Sequence, residues 1–202
     1  MLKKLGLISL TTVSAMAMHT FELNINNKDL GVALKLDMGQ FSNVEPGTTF
    51  VGAKYLKADV DHSEFNSNSD FNPYYEVNFL KTKAVGTSGI SLGLGVKLNY
   101  TEQDDARFTT IPLGFEGIYI VPQMRTIPLT INASIYYAPE VLSMEDAHEY
   151  LEFGVNARFE VIENGLVVIG YRNMNTNYVI SSNSNKNFNY NNSGYVGFKF
   201  AF

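Results

Sequence analysis

The last eight residues of the chain read Tyr195-Val196-Gly197-Phe198-Lys199-Phe200-Ala201-Phe202, and a large apolar residue occupies every second position. Successive side chains of a β-strand point to opposite faces. One face of this segment is therefore wholly apolar, whereas the other carries the charge of Lys199. This period of two predicts a strand that separates an apolar environment from a polar one.

The same alternation recurs along the chain from residue 19 onward and predicts about ten strands. The predicted strands lie near residues 21–25, 30–38, 51–55, 71–79, 90–100, 111–119, 127–137, 151–161, 167–172 and 196–202. Several of them exceed the roughly 5–6 residues that are typical of soluble sheets. A count of eight strands results if two weaker segments are left out.

Alternation alone does not distinguish a soluble β-sandwich from a membrane barrel. In a sandwich the apolar faces form the core, whereas in a membrane barrel they contact lipid and the charged residues line the interior. Long apolar faces with charges opposite them favour the barrel, and so do aromatic residues at the ends of these faces, which are typical of interfacial girdles. These aromatic residues are Tyr55, Tyr100, Tyr119, Tyr137, Tyr171 and Phe202. We therefore predict an all-β fold, an antiparallel up-and-down transmembrane β-barrel.

Ten charged residues fall on the predicted inner face of such a barrel. They are Lys35, Asp37, Lys54, Glu76, Lys97, Glu116, Glu152, Arg158, Arg172 and Lys199. Buried charges are tolerated when they pair or stay hydrated, so two interpretations remain open. One is a closed lumen crosslinked by opposite charges, and the other is a narrow aqueous pore. Side chains nearly fill a barrel of about eight strands, and ten strands leave little more room, which favours the closed lumen.

The first 17 residues have the pattern of a secretory signal peptide. Lys3 and Lys4 supply a positive start, and Leu5–Ala17 is mostly apolar and ends in a small-x-small cleavage site. We expect residues 1–17 to be removed and residues 18–202 to form the barrel, with a buried N-terminal helix as the alternative. No later stretch approaches the roughly 20 apolar residues of a membrane-spanning helix, so a place in a membrane requires a closed barrel.

The predicted connections alternate between the two ends of the barrel. With a periplasmic N-terminus, the odd-to-even connections face the cell exterior, where outer-membrane barrels carry their longer loops. The polar stretches Asp61–Asp70 and Ser181–Asn192 then lie outside the cell. The expected difference in length between exterior loops and periplasmic turns has exceptions, because the first exterior loop, near 26–29, is short and the first periplasmic connection, near 39–48, is long.

The final strand also resembles the C-terminal assembly signal of bacterial outer-membrane barrels. The resemblance rests on the alternate aromatic residues Phe198 and Phe200 and on the terminal Phe202. It implies export through the inner membrane and recognition by the barrel-assembly machinery, which binds such a strand by strand addition. It also implies insertion into the outer membrane, whose lipid then surrounds the protein.

A second resemblance covers the chain from about residue 112 to its end, and it points to the YfaZ family of outer-membrane proteins. The segments that resemble this family are Tyr136-Tyr137-Ala138-Pro139, Glu149-Tyr150, Gly154-Val155 and Gly170-Tyr171-Arg172. The resemblance implies an outer-membrane barrel, and it implies no particular activity.

The composition argues against several classes of function. The chain contains no cysteine, so we expect no disulfide, no thiolate metal site and no lipid-modified cysteine anchor. The net charge of −5 supplies no basic field for nucleic acid. No glycine-rich phosphate-binding motif opens a helix. We therefore expect no cofactor and no nucleic-acid partner.

Two small polar clusters have residue types that can carry chemistry. The first lies in one predicted exterior loop and contains the components of a hydrolase triad: Ser143, Glu145, His148 and Glu149. The second offers oxygen ligands for a cation: Asp59, Asp61 and His62. Such residues are also ordinary in solvated loops, and we expect neither catalysis nor a bound metal.

The sequence therefore predicts an integral outer-membrane barrel of unassigned activity with a closed or nearly closed interior and a structural or surface role. A narrow, porin-like channel for ions or small solutes is the alternative. A lipid-modifying enzyme that depends on His148 is a third and less favoured hypothesis.

Overall fold

The computed structural model describes residues 19–26, 29–58, 73–86, 89–103, 106–122, 128–181 and 184–202. Within these residues twelve antiparallel strands form, and ten of them close into an up-and-down barrel. The predicted all-β barrel is confirmed, with ten strands rather than eight. The strands are β1 (Thr20–Ile25), β2 (Asp29–Asp37), β3 (Thr49–Ala58), β4 (Pro73–Val85), β5 (Ile90–Gln103), β6 (Ala106–Thr110), β7 (Leu113–Val121), β8 (Leu129–Ala138), β9 (Ser143–Glu145), β10 (Ala147–Ile162), β11 (Gly165–Ser181) and β12 (Ser184–Ala201).

The barrel closes where its first and last strands meet. The order around it is β1-β2-β3-β4-β5-β7-β8-β10-β11-β12, and β1 pairs with β12 in a register that begins with Thr20 opposite Ala201. The backbones of His19 and Phe202 extend this pairing with two hydrogen bonds of 3.0 and 2.9 Å. We call the end of the barrel that holds His19 and Phe202 the terminal end, and the opposite end the loop end.

Two short strands, β6 and β9, stand outside the closed barrel at the loop end. β6 forms a hairpin with the last residues of β5, and β9 pairs with β6. Ile111 and Pro112 separate β6 from β7, because proline has no N–H to donate to the sheet. The chain nevertheless stays attached to β5 across this break, since the Lys97 N–H donates to the Pro112 carbonyl at 3.0 Å.

Side chains alternate between the outside and the inside of the barrel, as the period of two predicts. In β5, Leu92 and Leu94 are 57% and 61% exposed on the outside, whereas Lys97 and Asn99 are buried on the inside. Exposed apolar side chains surround the barrel, and we call this set the apolar belt. It includes Phe21, Leu23, Leu34, Val77, Phe79, Leu94, Leu98, Phe115, Ile131, Ile135, Phe153, Val155, Ile169, Val196 and Phe198. The distribution is the reverse of that in a water-soluble protein, where charged residues are rarely buried.

The strands differ in length around the barrel. β1 has six residues and β2 has nine, whereas β11 and β12 have 17 and 18. The long pair forms a hairpin that includes most of Ser181–Asn192, so the prediction of a loop over that stretch was wrong. The physical reason is the inner face of β11, where Met174 and Tyr178 are buried and hold the hairpin in register.

The connection between β2 and β3 at the terminal end is organised by Asp37. It contains a 3-10 turn, Met38–Gln40, and the Asp37 carboxylate accepts hydrogen bonds from the N–H groups of Gly39 and Gly47 at 2.9 and 2.7 Å. The Asp37 N–H donates to Nδ1 of His19 at 3.1 Å. Asp37 is therefore a fully buried capping residue, although the sequence analysis placed it among the lumen-lining charges.

Three sequence predictions lie outside the residues that the structure describes. They are the signal peptide 1–17, the polar stretch Asp61–Asp70, and the cation ligands Asp59, Asp61 and His62. Among the described residues, none belongs to a helix that is long and apolar enough to cross a membrane.

Candidate functional site

Four charged side chains from β3, β4, β5 and β10 meet inside the barrel. Lys97 Nζ lies 2.7 Å from a carboxylate oxygen of Glu152 and 3.2 Å from one of Glu76. Lys54 Nζ lies 3.7 Å from Glu152 and 3.8 Å from Glu76. Each carboxylate thus faces two ammonium groups, so the buried charges balance. We call these four residues the ionic network.

Two tyrosine hydroxyls extend the ionic network toward the loop end. Tyr74 precedes Glu76 by two residues and Tyr150 precedes Glu152 by two, so each ring shares the inner face with its carboxylate. The Tyr74 hydroxyl donates to Glu76 at 3.2 Å and the Tyr150 hydroxyl donates to Glu152 at 3.1 Å. The two hydroxyl oxygens are 3.1 Å apart. These additional donors stabilise the carboxylates, because burial of an ion pair is tolerated only when its remaining lone pairs are satisfied.

Tyr136 covers the ionic network from β8. Lys97 Nζ lies 4.1 Å from the centre of the Tyr136 ring, which is a cation–π distance. The Tyr136 hydroxyl donates to Glu116 at 2.8 Å, which links a fifth charged residue to the group. The ring packs directly on Gly95 and Gly114, where any larger residue would overlap it.

A Gly114→Ala variant is expected to lose about 1–3 kcal/mol of unfolding free energy, since overpacking of a filled interior costs this much. A Cβ at Gly114 would lie 2.2 Å from the Ile135 carbonyl oxygen and 2.5 Å from Tyr136 ring carbons. Gly117→Ala in the same strand is the control, because its Cβ would meet only a Leu92 methyl at 3.9 Å. Urea unfolding of the protein in detergent micelles measures both, and equal midpoints for the two variants would contradict the prediction.

A second polar group, nearer the loop end, joins β2 to the β11–β12 hairpin across β1. Arg172 Nη2 donates to one carboxylate oxygen of Asp29 at 2.9 Å. The other oxygen accepts hydrogen bonds from Asn191 at 2.7 Å and Ser193 at 2.9 Å. The Arg172 guanidinium also lies 5.1 Å from the ring centre of Tyr195. This fully paired group holds the strands on both sides of the closing seam together.

A third polar group, nearer the terminal end, lies beside a cavity of about 140 Å³, which the ionic network and Arg172 also border. Lys199 Nζ lies 3.7 Å from Glu22, and the Asn24 amide donates to Glu22 at 2.9 Å. Lys35 and Arg158 also line the cavity. Within the described part of the chain, the buried Nε of Arg158 has no hydrogen-bond partner. This part of the interior is therefore polar and less tightly paired than the ionic network.

Apolar and aromatic side chains fill the interior toward the loop end, and we call them the apolar plug. Its members are Leu56, Tyr74, Phe108, Ala138, Ala147, Tyr150, Met174 and Tyr178. The rings of Phe108 and Tyr178 meet edge to face with their centres 5.4 Å apart, and Leu56 and Met174 are fully buried. Because Tyr74 and Tyr150 also donate hydrogen bonds to the carboxylates of the ionic network, the apolar plug and the ionic network are continuous.

The structure places nine of the ten predicted lumen charges inside the barrel, and Asp37 is the exception. It brings Lys54, Glu76, Lys97 and Glu152 together in one network, with Glu116 beside it, whereas Arg172 pairs with Asp29 and Lys199 with Glu22. The ion pairs thus form distinct groups, although eight of the nine charges, all except Lys199, line one cavity of about 140 Å³.

The acidic partners Glu22 and Asp29 were not among the predicted inner charges. Glu22 occupies a polar position of the first alternating strand, so its place on the inner face could have been found from the pattern. Asp29 was assigned to a turn, although it begins β2. The period of two places Tyr74, Tyr136 and Tyr150 on the polar face of their strands, although their residue type gives no such signal, because tyrosine is equally typical of lipid interfaces.

The polar cluster between β8 and β10 is not arranged as a triad. Ser143 Oγ donates to the Pro139 carbonyl at 3.1 Å, and His148 Nδ1 lies 3.4 Å from Glu140. Glu145 accepts a hydrogen bond from a threonine of β6 at 3.0 Å. Each side chain thus contacts a different neighbour. In the part of the chain that the structure describes, no three histidine, aspartate or glutamate side chains are placed to hold a metal ion.

Comparison with known protein families gives a match that extends over the whole barrel. A family model described as "YfaZ precursor" matches residues 3–202. No curated protein is significantly similar in sequence to the chain. One solved structure, from work on "the in-meso Crystallization of Membrane Proteins", shares 11% identity and aligns over 92% of this chain and 83% of its own, with a TM-score of 0.36. The family match includes all twelve strands.

Proposed function

The chain belongs to the YfaZ family, and from this premise we propose that it is an integral barrel of the bacterial outer membrane with a closed interior and a structural or surface role. The match confirms the family resemblance noted in the second half of the sequence. The description of the family as a precursor supports export and removal of the predicted signal peptide, residues 1–17.

The membrane proposal rests on the positions of apolar and charged side chains, which are the reverse of those in a water-soluble protein. The apolar belt surrounds the barrel, whereas Glu76, Lys97 and Glu152 are buried within it. Water-soluble monomers rarely expose contiguous apolar patches larger than a few hundred Å². Tyr137 and Tyr171 border the belt on its loop-end side, where a membrane barrel carries interfacial aromatic residues. A lipid bilayer is the environment that satisfies both faces.

The ionic network and the apolar plug support a closed interior. The network crosslinks β3, β4, β5 and β10 through direct ion pairs, and the plug fills the space between it and the loop end. An aqueous path along the axis would have to separate Lys97 from Glu152 and displace the packed rings of Phe108 and Tyr178. Both changes leave buried charge unpaired or apolar surface hydrated, and both are costly.

Purified protein in planar lipid bilayers is expected to give no single-channel current steps, because the ionic network and the apolar plug occupy the interior. Heat-modifiable gel migration of the same sample establishes that the barrel is folded, and a porin treated in the same way is the positive control. Regular current steps from folded protein would contradict the closed interior. Recovery of the protein only in the soluble periplasmic fraction would contradict the membrane proposal itself.

A narrow channel is the second candidate, and the cavity of about 140 Å³ favours it. The cavity is lined by both signs of charge, including Arg158 and Glu116. If the barrel conducts, Arg158→Ala should shift the ion selectivity toward cations, because this variant removes a positive charge from the lining.

A further inference from the structure

The outer face of the β11–β12 hairpin carries three cross-strand pairs of asparagines. The pairs are Asn173 with Asn192, Asn175 with Asn189, and Asn177 with Asn187. On this face β11 presents Ile169 and Tyr171, and then asparagine at each of the next three outward positions. We call the six asparagines the amide face, which begins where the apolar belt ends.

Strand formation does not explain the amide face. Asparagine is depleted in β-strands, where β-branched and aromatic residues pack better. The inner face of the same strand follows that preference with Met174, Thr176 and Tyr178, all of which are buried. A departure from strand propensity on only one face of a strand is typical of a functional surface.

The chemistry of the amide face fits the hydroxyl groups of sugars. A primary amide offers two N–H donors and a carbonyl acceptor, and each sugar hydroxyl is likewise both donor and acceptor. None of the six residues carries a charge, whereas phosphate recognition relies on arginine or lysine. Asn187, Asn189 and Asn192 are exposed.

Neighbouring side chains orient the amide face. The Tyr171 hydroxyl donates to Asn192 Oδ1 at 2.7 Å, and the Asn177 amide donates to Glu149 at 3.2 Å. The Asn175 amide donates to Asn173 Oδ1. The surface is thus held in place before a ligand arrives, which lowers the entropy cost of binding. The Tyr171 ring, which borders the amide face on the side of the terminal end and is 37% exposed, offers an apolar surface beside the amides.

We propose that the amide face binds the sugar hydroxyls of a glycolipid headgroup in the membrane leaflet beside the barrel. This inference rests on the proposed function, since only a barrel in a membrane places the face next to lipid headgroups. The first pair, Asn173 and Asn192, directly follows the apolar belt, so a ligand on it lies at the surface of the membrane rather than far above it.

The test compares wild type with the double variant Asn175→Thr/Asn189→Thr, which removes the central amide pair and keeps good strand formers. Calorimetry in detergent micelles measures binding of the oligosaccharide released from purified lipopolysaccharide. Loss of two or more hydrogen bonds is expected to weaken binding by about tenfold or more. The control is Thr176→Ser, a change on the buried face of the same hairpin that should leave the affinity unchanged.

Heat-modifiable gel migration of every sample shows whether the barrel is folded. A failure of this inference can therefore be distinguished from a failure of the proposed function. A folded wild type that binds no oligosaccharide, or a double variant that binds as tightly as wild type, would overturn the inference alone. Competition by inorganic phosphate would assign the face to phosphate and would also overturn it. A wild type that never shows the folded, heat-modifiable band would overturn the proposed function, and the inference with it.

Discussion

A Lys97→Met variant is expected to lose about 3–5 kcal/mol of unfolding free energy, the usual cost of breaking a buried ion pair from one side. Lys97 bridges Glu152 and Glu76 at 2.7 and 3.2 Å. Without it, Lys54 is the remaining ammonium group beside the two buried carboxylates, at 3.7 and 3.8 Å. Methionine has a similar length and no charge, so the loss reports the charge rather than a cavity. Urea unfolding in detergent micelles measures the effect.

Two further variants isolate the ionic network as the cause. Lys83→Met changes an exposed lysine of β4 and should alter the stability by no more than about 0.5 kcal/mol. The double variant Lys97→Met/Glu152→Gln should lose less than the sum of its single variants, because the second change removes a carboxylate that the first left unpaired. Strict additivity, or a Lys97→Met midpoint equal to that of wild type, would show that the network contributes nothing.

Deletion of Phe202 is expected to lower the yield of assembled barrel in the outer membrane severalfold, with a smaller effect on the folded state. The two backbone hydrogen bonds between Phe202 and His19 are worth about 1–3 kcal/mol together. The Phe202 ring is 55% exposed, so its removal forfeits little buried surface. Assembly, in contrast, is proposed to depend on recognition of the terminal aromatic residue by the assembly machinery. Immunoblots of the heat-modifiable band in outer-membrane fractions measure the yield.

The variant Phe202→Ala separates closure of the seam from recognition of the ring. It retains the backbone that pairs with His19 and removes only the aromatic side chain. We expect its yield in cells to fall as in the deletion, while spontaneous refolding into lipid vesicles proceeds at the wild-type rate. Normal yields for both variants would refute the role of Phe202 in assembly.

The faces of the strands were predictable because a strand has only two faces and a period of two assigns every residue to one of them. The assignment of Lys97 to the inside and of Leu94 to the outside follows from this rule alone. The Asn-rich end of the β11–β12 hairpin was predicted as a loop because its composition is that of a loop. Burial of Met174 and Tyr178 in the interior overrides that composition, and burial depends on partners that are distant in sequence.

The grouping of the interior charges was not predictable from the pattern. Lys97 and Glu152 are 55 residues apart and lie on β5 and β10, which are not neighbours in the barrel. Which charges meet across a lumen depends on the tilt and stagger of all strands together. The pattern of a single strand therefore places a charge inside, and only the closed barrel determines its partner.

The short first strand has a consequence for the bilayer around the protein. The six residues of β1 span only about 20 Å at a rise of roughly 3.3 Å per residue, whereas a membrane-spanning strand usually needs about 9–11 residues. In the proposed membrane, lipid beside β1 must therefore compress to match a reduced hydrophobic thickness. The same holds beside β11, whose outward apolar run ends at Tyr171, but not beside β5, whose exposed apolar residues extend from Ile90 to Tyr100. We expect the membrane to be locally thin along one side of the protein, and that side coincides with the seam between β1 and β12.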